Sequence, residues 1–363
     1  MNHNMNFNFK HHILQMDRYQ TSEGRDLERG LRLDRNEKVS TFSQEVLNDI
    51  FSSFQGFSLS ASPDAASLYE KISGNLNIDK DHIFVTAGIT EGIRILYDLY
   101  TQEGDNVICL DPTYPMYWIY AEMYKVEYRK FTYNKNSLKP NDKSLYDQID
   151  DKTKIVFIPN PNLPIESCFS VNEINKIAAI CMKKNILLVI DEAYYYFGAP
   201  TVLDLVKDFK NLIVFRTFSK AYGLAAIRLG FMVGDPELIN YFSKSRSIVE
   251  SNTLSMQVAE YFIDHQELRE GHVQEVKQGA HYIHQELKKL GLRYYGGELT
   301  NGLVIFLESG EDSNRIVLFM EQQNIYIRGS FESPFENVIR ISLGSLEAME
   351  KFIYYLKVYM EDK

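Results

Sequence analysis

The feature that most constrains the fold is an alternation of short apolar runs with longer helical patterns between about residues 80 and 235. Several of these runs are apolar at nearly every position, which is typical of strands covered by helices on both faces. The alternation predicts an α/β domain whose mostly parallel sheet is wound by helices. The strand candidates are HIFVT (82–86), NVICL (106–110), KIVFI (154–158), ILLVI (186–190), LIVF (212–215) and RLGFMV (228–233).

The pattern changes after Asp235. Helical periodicity dominates from 236 to 290, and strand patterns then alternate with helical ones up to residue 361. This part predicts a smaller α+β C-terminal lobe. Its strand candidates are 302–307, 324–328 and 337–341, with helices at 313–323 and 345–361. The chain is therefore divided into an N-terminal arm (1–45), a large α/β domain (46–245) and a small α+β domain (246–363).

Composition excludes several classes of protein. The 363 residues are 45% hydrophobic and 24% charged, which is the balance of a globular protein with a large core. With 39 basic and 49 acidic residues the net charge is -10, and no long basic run offers a patch for nucleic acid. No apolar run approaches the ~20 residues that cross a bilayer. We expect a cytoplasmic protein that binds neither nucleic acid nor membrane.

The three cysteines do not suggest a metal site or a disulfide framework. Cys109 and Cys181 lie inside apolar stretches, and Cys168 is not at ligand spacing from either of them. Buried free thiols are the expectation, and no metal site is expected.

The strongest local signal is VFRTFSKAYGLAAIRLGF, residues 214–231, in which an apolar strand ends in Thr217, Ser219 and Lys220. A lysine at the carboxyl end of such a strand faces the crevice where open α/β sheets bind ligands. Partial burial would make it a candidate Schiff-base nucleophile. For an isolated Ser-Lys pair, a solvated surface lysine is the alternative.

A second signal is LLVIDEAYYYFG, residues 187–198, in which Asp191 directly follows an apolar strand. An acid there would face the same crevice as Lys220 and could keep a pyridine nitrogen protonated. Tyr194, three residues further on, could hydrogen-bond an oxygen on such a ring. A loop or metal-site role for the Asp-Glu pair is the alternative.

Two further segments could complete a cofactor site. VTAGITEGI, residues 85–93, is a strand, a glycine and a helix start, which together present backbone N–H groups to an anion. In LDPTYPMY, residues 110–117, Tyr114 follows a strand end and could stack on an aromatic ring. Neither a G-x-G-x-x-G nor a Walker A sequence is present, so a dinucleotide or ATP site is not supported.

Together these four segments resemble the fold-type I pyridoxal phosphate enzymes, specifically the class I/II aminotransferases close to histidinol-phosphate aminotransferase. The resemblance extends from M-D-R-Y-Q and L-D-R-N-E near the start to N-V-I-R-I-S-L-G near the end. It implies that pyridoxal 5'-phosphate is the cofactor and that the protein is a homodimer with sites near the interface.

The resemblance also implies residue roles. Lys220 would hold the cofactor as an aldimine and move the proton, and Asp191 would pair with the pyridine nitrogen. Tyr194 would bind the phenolic oxygen and Tyr114 would stack on the ring. The phosphate would be bound by Gly88, Ile89, Thr90, Thr217, Ser219 and Arg228.

On the substrate side, Arg340 in V-I-R-I matches the arginine that clamps the substrate carboxylate, a task suited to a bidentate guanidinium. Arg328 and Tyr19 match positions that approach the far end of the substrate. A strand-end arginine and an arm tyrosine that packs on the core are the alternatives for these two.

Three positions depart from the family pattern. The N-P-T-G loop, whose asparagine supports the cofactor ring, reads PNPNLPIES here, with Leu163 before the proline and Glu166 in place of the glycine. Asn162 and Asn160 are the nearest candidates for the missing asparagine, and Asn162 is the one chosen. Glu166 predicts an altered turn or an extra acidic group near the substrate. Ser62 takes the place of the tyrosine that reaches the neighbouring subunit's phosphate.

The sequence therefore predicts an aminotransferase that moves an amino group between an amino acid, or an amino-alcohol phosphate, and a 2-oxo acid or other carbonyl acceptor. A decarboxylase or lyase with the same cofactor is the first alternative, because the same adduct can lose carboxylate instead of a proton. A catalytically silent sensor of the same fold is the second alternative.

Overall fold

The computed structural model describes residues 10–17, 29–54, 60–61, 64–134 and 137–361. Its strands, in chain order, are β1 (Leu31–Arg32), β2 (Ile83–Thr86), β3 (Asn106–Leu110), β4 (Glu127–Phe131), β5 (Thr153–Pro159), β6 (Leu187–Asp191), β7 (Leu212–Thr217), β8 (Gly230–Gly234), β9 (Arg293–Gly296), β10 (Gly302–Phe306), β11 (Ile325–Tyr326) and β12 (Val338–Ser342). The α-helices discussed below are α1 (His11–Gln15), α2 (Gln44–Ser52), α3 (Ala66–Leu76), α4 (Ile89–Tyr100), α5 (Met116–Tyr124), α6 (Asp142–Gln148), α7 (Val171–Lys183), α8 (Pro236–Phe242), α9 (Thr253–Asp264), α10 (Gln266–Lys289), α11 (Gly310–Gln322) and α12 (Leu346–Glu361).

A seven-stranded sheet of order β2-β8-β7-β6-β5-β3-β4 forms the centre of the molecule. All six predicted strands of this region belong to it, and β8 is the strand that runs antiparallel to both of its neighbours. Strands β2, β3, β6, β7 and β8 are buried at every position. The mostly parallel α/β architecture is thereby confirmed. The missed strand is β4 at the sheet edge, where EYRKF is partly exposed and charged.

Helices cover the sheet because each buries one apolar stripe. Helix α7 is an example of how such a helix is specified. Ser170 and Glu173 form a capping box at its start. Its buried face carries Ile174, Ile177, Ala178 and Cys181, spaced at three and four residues. Cys109 and Cys181 are buried free thiols, and Cys168 is partly buried.

The C-terminal lobe is built on a three-stranded antiparallel sheet of order β12-β10-β9. Its core contains residues of β10 and β12 together with the apolar faces of α10, α11 and α12. The strands predicted near 302–307, 324–328 and 337–341 and both predicted helices are present. Strand β9, the half-exposed segment Arg293–Gly296, was not predicted. The smaller α+β lobe is thus confirmed.

The N-terminal segment joins this C-terminal lobe. Strand β1 pairs in parallel with β11, and Leu33 is fully buried in the C-terminal core. The division at residues 45 and 245 remains a prediction, but residues 31–33 pack with the lobe at the opposite end of the chain. Among the helices of the described segments, none is long and apolar enough to span a membrane.

Candidate active site

The register of the central sheet brings the predicted site residues to one edge. Thr86 at the end of β2 pairs with Gly230 at the start of β8, which in turn pairs with Thr217 at the end of β7. Strands β3, β5, β6 and β7 run parallel, so the residues that follow them emerge at the same edge. This is the edge where open α/β sheets bind ligands.

Lys220 lies in the turn that follows β7. Its Nζ donates hydrogen bonds to the backbone carbonyls of Asn36 at 3.0 Å and Arg35 at 3.3 Å. The same Nζ lies 5.6 Å from the centre of the Tyr194 ring. The amine is therefore held by the N-terminal segment and faces the residues that follow β6, instead of being a freely solvated surface lysine.

Asp191, the last residue of β6, is 7% exposed. Its Oδ2 accepts a 2.7 Å hydrogen bond from the Tyr117 hydroxyl, and its Oδ1 accepts one from the Ala193 amide at 3.0 Å. Burial raises the pKa of Asp191, while the Tyr117 and Ala193 hydrogen bonds and the charge of Lys220 oppose that shift. A nearby cation such as a pyridinium would favour the ionised carboxylate.

Tyr117 was not among the predicted site residues. It is fully buried in α5, and burial raises the pKa of its hydroxyl well above the usual value, so the hydroxyl remains a donor. Tyr117 lies three residues after Tyr114, and its amide donates to the Tyr114 carbonyl at 3.3 Å in the turn that leads into α5. That spacing was the only sequence signal for it.

An anion cup forms where β2 meets α4. Gly88 has a φ of 79°, a left-handed conformation that favours glycine, and it is the residue before the first turn of α4. A Cβ on Gly88 would lie 3.0 Å from Nη2 of Arg228, so the guanidinium sits over this helix start. Thr217 accepts a hydrogen bond from the Ser219 amide at 3.1 Å in the neighbouring turn. The cup offers a cation, hydroxyls and the N–H groups of a helix N-terminus, including those of Ile89 and Thr90.

Tyr114 is 42% exposed, and its hydroxyl forms a 2.9 Å hydrogen bond with that of Thr90 at the start of α4. Its ring meets that of Tyr117 edge to face, with 6.2 Å between the ring centroids. The Tyr114 ring thus lies beside the anion cup and beside Tyr117, whose hydroxyl binds Asp191. Its predicted stacking on a cofactor remains a prediction.

Asn162 is fully buried with its side chain bound to the protein. Its Nδ2 donates to the carbonyl of Pro112 at 2.9 Å and to the Tyr133 hydroxyl, and its Oδ1 accepts from Thr113 at 2.6 Å. These contacts tie the loop after β5 to the loop after β3. A direct contact of Asn162 with the cofactor ring remains a prediction.

The two substitutions in the same loop have structural roles. Leu163 is 7% exposed and packs against Gly302, where an added Cβ would lie 2.8 Å from Leu163 Cδ1. Glu166 accepts hydrogen bonds from residues 297–300 of the C-terminal lobe. The Glu166 carboxylate is thus bound by the C-terminal lobe. Both expectations for this position, an altered turn and an extra acidic group near the substrate, remain predictions.

Arg340 and Arg328 lie side by side on the C-terminal lobe. Their backbones exchange two hydrogen bonds, of 2.7 and 3.0 Å, between β12 and the segment after β11. The Arg340 guanidinium also donates from Nη2 to the carbonyl of Asp34, and the Arg328 side chain is exposed. Tyr19 and Ser62 lie outside the described residues.

Asn36 links these parts and was not predicted as a site residue. It adopts a left-handed backbone with a φ of 54°, and its amide N–H donates to Ser342 Oγ at 2.8 Å. Its Nδ2 donates to the Tyr194 hydroxyl at 3.2 Å, while its carbonyl accepts from Lys220. The sequence signal was the motif L-D-R-N-E, whose asparagine had no role assigned to it.

A mostly parallel seven-stranded sheet that carries a lysine, a buried aspartate and an anion cup at its carboxyl edge defines a fold-type I pyridoxal phosphate enzyme. The sequence profile of the family "Aminotransferase class I and II" matches residues 37–356. The chain belongs to this family and is a pyridoxal phosphate-dependent aminotransferase.

Two relatives are similar in sequence to this chain over most of its length. "Histidinol-phosphate aminotransferase 1" of Bacillus thuringiensis subsp. konkukian is 30% identical over 337 residues, which cover 92% of this chain and 90% of the relative. Histidinol-phosphate aminotransferase of Clostridium novyi is 29% identical over 331 residues, with 90% and 91% covered.

The fold matches solved structures as well. Histidinol-phosphate aminotransferase from Sinorhizobium meliloti, solved in complex with pyridoxal-5'-phosphate, superimposes with a TM-score of 0.84 at 21% identity. The match covers 96% of this chain and 97% of that one. At 21% identity, this match shows that the two proteins share a fold and shows nothing further.

The described residues fit pyridoxal phosphate. The cup at Gly88 and Arg228 supplies N–H donors and a cation for a phosphate, and Asp191 supplies a buried carboxylate for a protonated ring nitrogen. Lys220, bonded to Asn36, supplies an amine close to Tyr194. A positive cup and a negative pocket at one edge suit a ligand that is anionic at one end and cationic at the other.

Proposed function

We propose that Lys220 binds the cofactor covalently and that Asp191 pairs with its ring nitrogen. Tyr194 would donate to the phenolic oxygen, and Tyr114 would stack on the ring with Asn162 supporting the loop beside it. The phosphate would be held by Gly88, Ile89, Thr90, Thr217, Ser219 and Arg228. The buried carboxylate and the cup at the start of α4 support this assignment.

The observation that carries the proposal is the meeting of an amine and a guanidinium on one short segment. Lys220 donates to the carbonyls of Arg35 and Asn36, and Arg340 donates to the carbonyl of Asp34. A substrate with an amino group and a carboxylate on the same carbon needs these two groups close together. Arg340 would bind the carboxylate while the amino group reaches the position of Lys220.

Pyridoxal phosphate, when bound, withdraws electrons from the substrate's Cα and accepts its amino group. Lys220 Nζ would take the proton from Cα and deliver it to the cofactor carbon that receives the nitrogen. The Asp191 carboxylate would keep the ring nitrogen protonated. Asn36 would orient the Tyr194 hydroxyl through its 3.2 Å contact.

The substrate pair is proposed to be an amino acid or an amino-alcohol phosphate with a 2-oxo acid or carbonyl acceptor. The histidinol-phosphate aminotransferases among the relatives support this class. The exposed Arg328, next to Arg340 on the C-terminal lobe, is proposed to meet the far end of the substrate together with Tyr19. We also propose a cytoplasmic homodimer.

The test is a visible absorbance spectrum of the protein reconstituted with pyridoxal phosphate, recorded before and after adding L-glutamate or another amino donor. The band of the bound cofactor is expected to convert to that of the amino form and to return when a 2-oxo acid is added. Lys220→Ala should remain folded and lose turnover, while Lys210→Ala, at an exposed surface position, should behave like the wild type.

Release of carbon dioxide from an amino acid without any 2-oxo acid would contradict transamination and indicate a decarboxylase. A cofactor band that forms normally but does not respond to any amino donor would contradict the proposed substrate class.

A further inference from the structure

A single buried carboxylate fastens the loop after β5 to the C-terminal lobe. Glu166 is 6% exposed, and its two oxygens accept from the amides of Gly297, Glu298 and Leu299 at 3.1, 3.2 and 3.1 Å. The Thr300 hydroxyl donates to it at 2.7 Å. These four donors belong to the turn between β9 and β10, so Glu166 fixes the conformation of that turn.

Hydrogen bonds connect the turn 297–300 to the N-terminal segment that holds Lys220. The carbonyl of Asn301 accepts a 2.8 Å hydrogen bond from the Leu343 amide, and the preceding Ser342 accepts from the Asn36 amide at 2.8 Å. Asn36 in turn binds Lys220 and Tyr194. Glu166 thus connects with the amine through a continuous set of hydrogen bonds and backbone steps.

A packing contact follows the same route. A Cβ on Gly302 would lie 2.8 Å from Leu163 Cδ1 and 3.4 Å from Asn36 Oδ1. Gly302 therefore sits in close contact with the loop that carries Glu166 and with the asparagine that positions Lys220. A shift of the turn 297–300 would move Gly302 against Leu163 or Asn36.

We propose that Glu166 is a positioning residue for the cofactor. By holding the turn 297–300 against the loop after β5, it fixes Asn36 and so sets the placement of the Lys220 amine and the Tyr194 hydroxyl. The inference rests on the proposed contacts of Lys220 and Tyr194 with the cofactor and adds a residue of another loop that places them, and it involves no amino donor.

The test compares three variants of the reconstituted protein. Glu166→Gln presents an amide N–H₂ to a cluster of donors, so it can satisfy only part of the turn. Thr300→Val removes the shortest of the four hydrogen bonds and leaves the carboxylate in place. Leu356→Ala, in the core of the same lobe, is the control, because Leu356 forms none of these hydrogen bonds and its truncation destabilises the lobe.

Two readouts are measured: the dissociation constant of pyridoxal phosphate, and the pH midpoint at which the visible band of the bound cofactor changes. Glu166→Gln is expected to weaken cofactor binding about fivefold or more, the equivalent of one lost hydrogen bond, and to move the pH midpoint. Thr300→Val should move both in the same direction by less, and Leu356→Ala should lower Tm alone.

A Glu166→Gln variant that loses Tm as Leu356→Ala does, with cofactor affinity and pH midpoint as in the wild type, would overturn the proposal. Should Glu166→Gln fail to fold, unchanged values in Thr300→Val would overturn it equally. Neither readout uses an amino donor, so a wrong substrate class under the proposed function would leave this test unaffected.

Discussion

The Tyr117 hydroxyl donates a 2.7 Å hydrogen bond to Oδ2 of Asp191, and both residues are buried. A neutral donor in this position stabilises the ionised form of the carboxylate without competing for its charge. The hydrogen bond from Tyr117 therefore opposes the rise that burial causes in the pKa of Asp191.

Tyr117→Phe should weaken the binding of pyridoxal phosphate by about tenfold, because a hydrogen bond to a charged group contributes ~1.5 kcal/mol. The measurement is a cofactor titration of the apoprotein. Tyr120→Phe, on the same helix, is the matched control and should leave the affinity unchanged. Equal affinities for Tyr117→Phe and the wild type would contradict this role for the hydroxyl.

Cofactor affinity should fall on acidification. In the cofactor-free protein the pKa of Asp191 is raised by burial, so acid protonates it before an ordinary aspartate. Where the ring nitrogen is also protonated, binding requires Asp191 to release its proton, and affinity must rise with pH through the raised pKa. The dissociation constant measured against pH checks this. Asp191→Asn should bind the cofactor more weakly, and its dissociation constant should not change with pH in the acid range. A wild-type dissociation constant that is equally independent of pH in this range would contradict the expectation.

Gly279→Ala should destabilise the protein, whereas Gly271→Ala on the same helix should not. A Cβ at Gly279 would lie 2.0 Å from the carbonyl oxygen of Gly344, while a Cβ at Gly271 meets nothing within 4 Å. We expect a loss of ~1–3 kcal/mol in the free energy of unfolding for the first and a gain of ~0.5–1 kcal/mol for the second. Denaturant unfolding measures both, and a neutral Gly279→Ala would show that α10 and the segment before α12 separate freely.

His272 should make stability decrease below neutral pH. Its Nδ1 donates to the carbonyl of Ala221, next to Lys220, at 2.8 Å. Burial lowers its pKa and the nearby Lys38 ammonium lowers it further, while the hydrogen bond to Ala221 and the charge of Glu275 oppose the shift. Because the folded-state pKa is depressed, unfolding takes up a proton, and stability present above the ordinary value of 6.5 is lost as the pH falls.

The measurement is the free energy of unfolding between about pH 7 and about pH 5, compared for the wild type and His272→Gln. The variant, which has no imidazole at this position, should show a smaller slope against pH. Identical slopes would assign the acid sensitivity to other groups.

Placement at the sheet edge could be predicted from sequence where strands are continuous apolar runs. Asp191 ends such a run and Lys220 follows another, and parallel strands bring their carboxyl ends together. Strands β4 and β9 could not be found in this way, since their residues are partly exposed and carry charges. Their identity as strands depends on the neighbours they pair with.

The hydrogen bonds that Tyr117 and Asn36 form within the site could not be predicted, because each depends on tertiary packing. Tyr117 and Asp191 are 74 positions apart, and Asn36 and Lys220 are 184 apart. No periodicity relates such residues. The hydrogen bonds of Glu166 were equally hidden, because a glutamate in a loop does not indicate which backbone amides will surround it.

The pairing of β1 with β11 has a consequence for how the chain is made. Leu31 aligns with Ile325, so the partner of a strand near the start is synthesised only when most of the polypeptide already exists. Such contacts of long sequence separation form late and slow the search for the native topology. During synthesis the segment that holds Lys220 therefore lacks this strand pairing until β11 has emerged, and we expect the active centre to assemble after most of the central sheet.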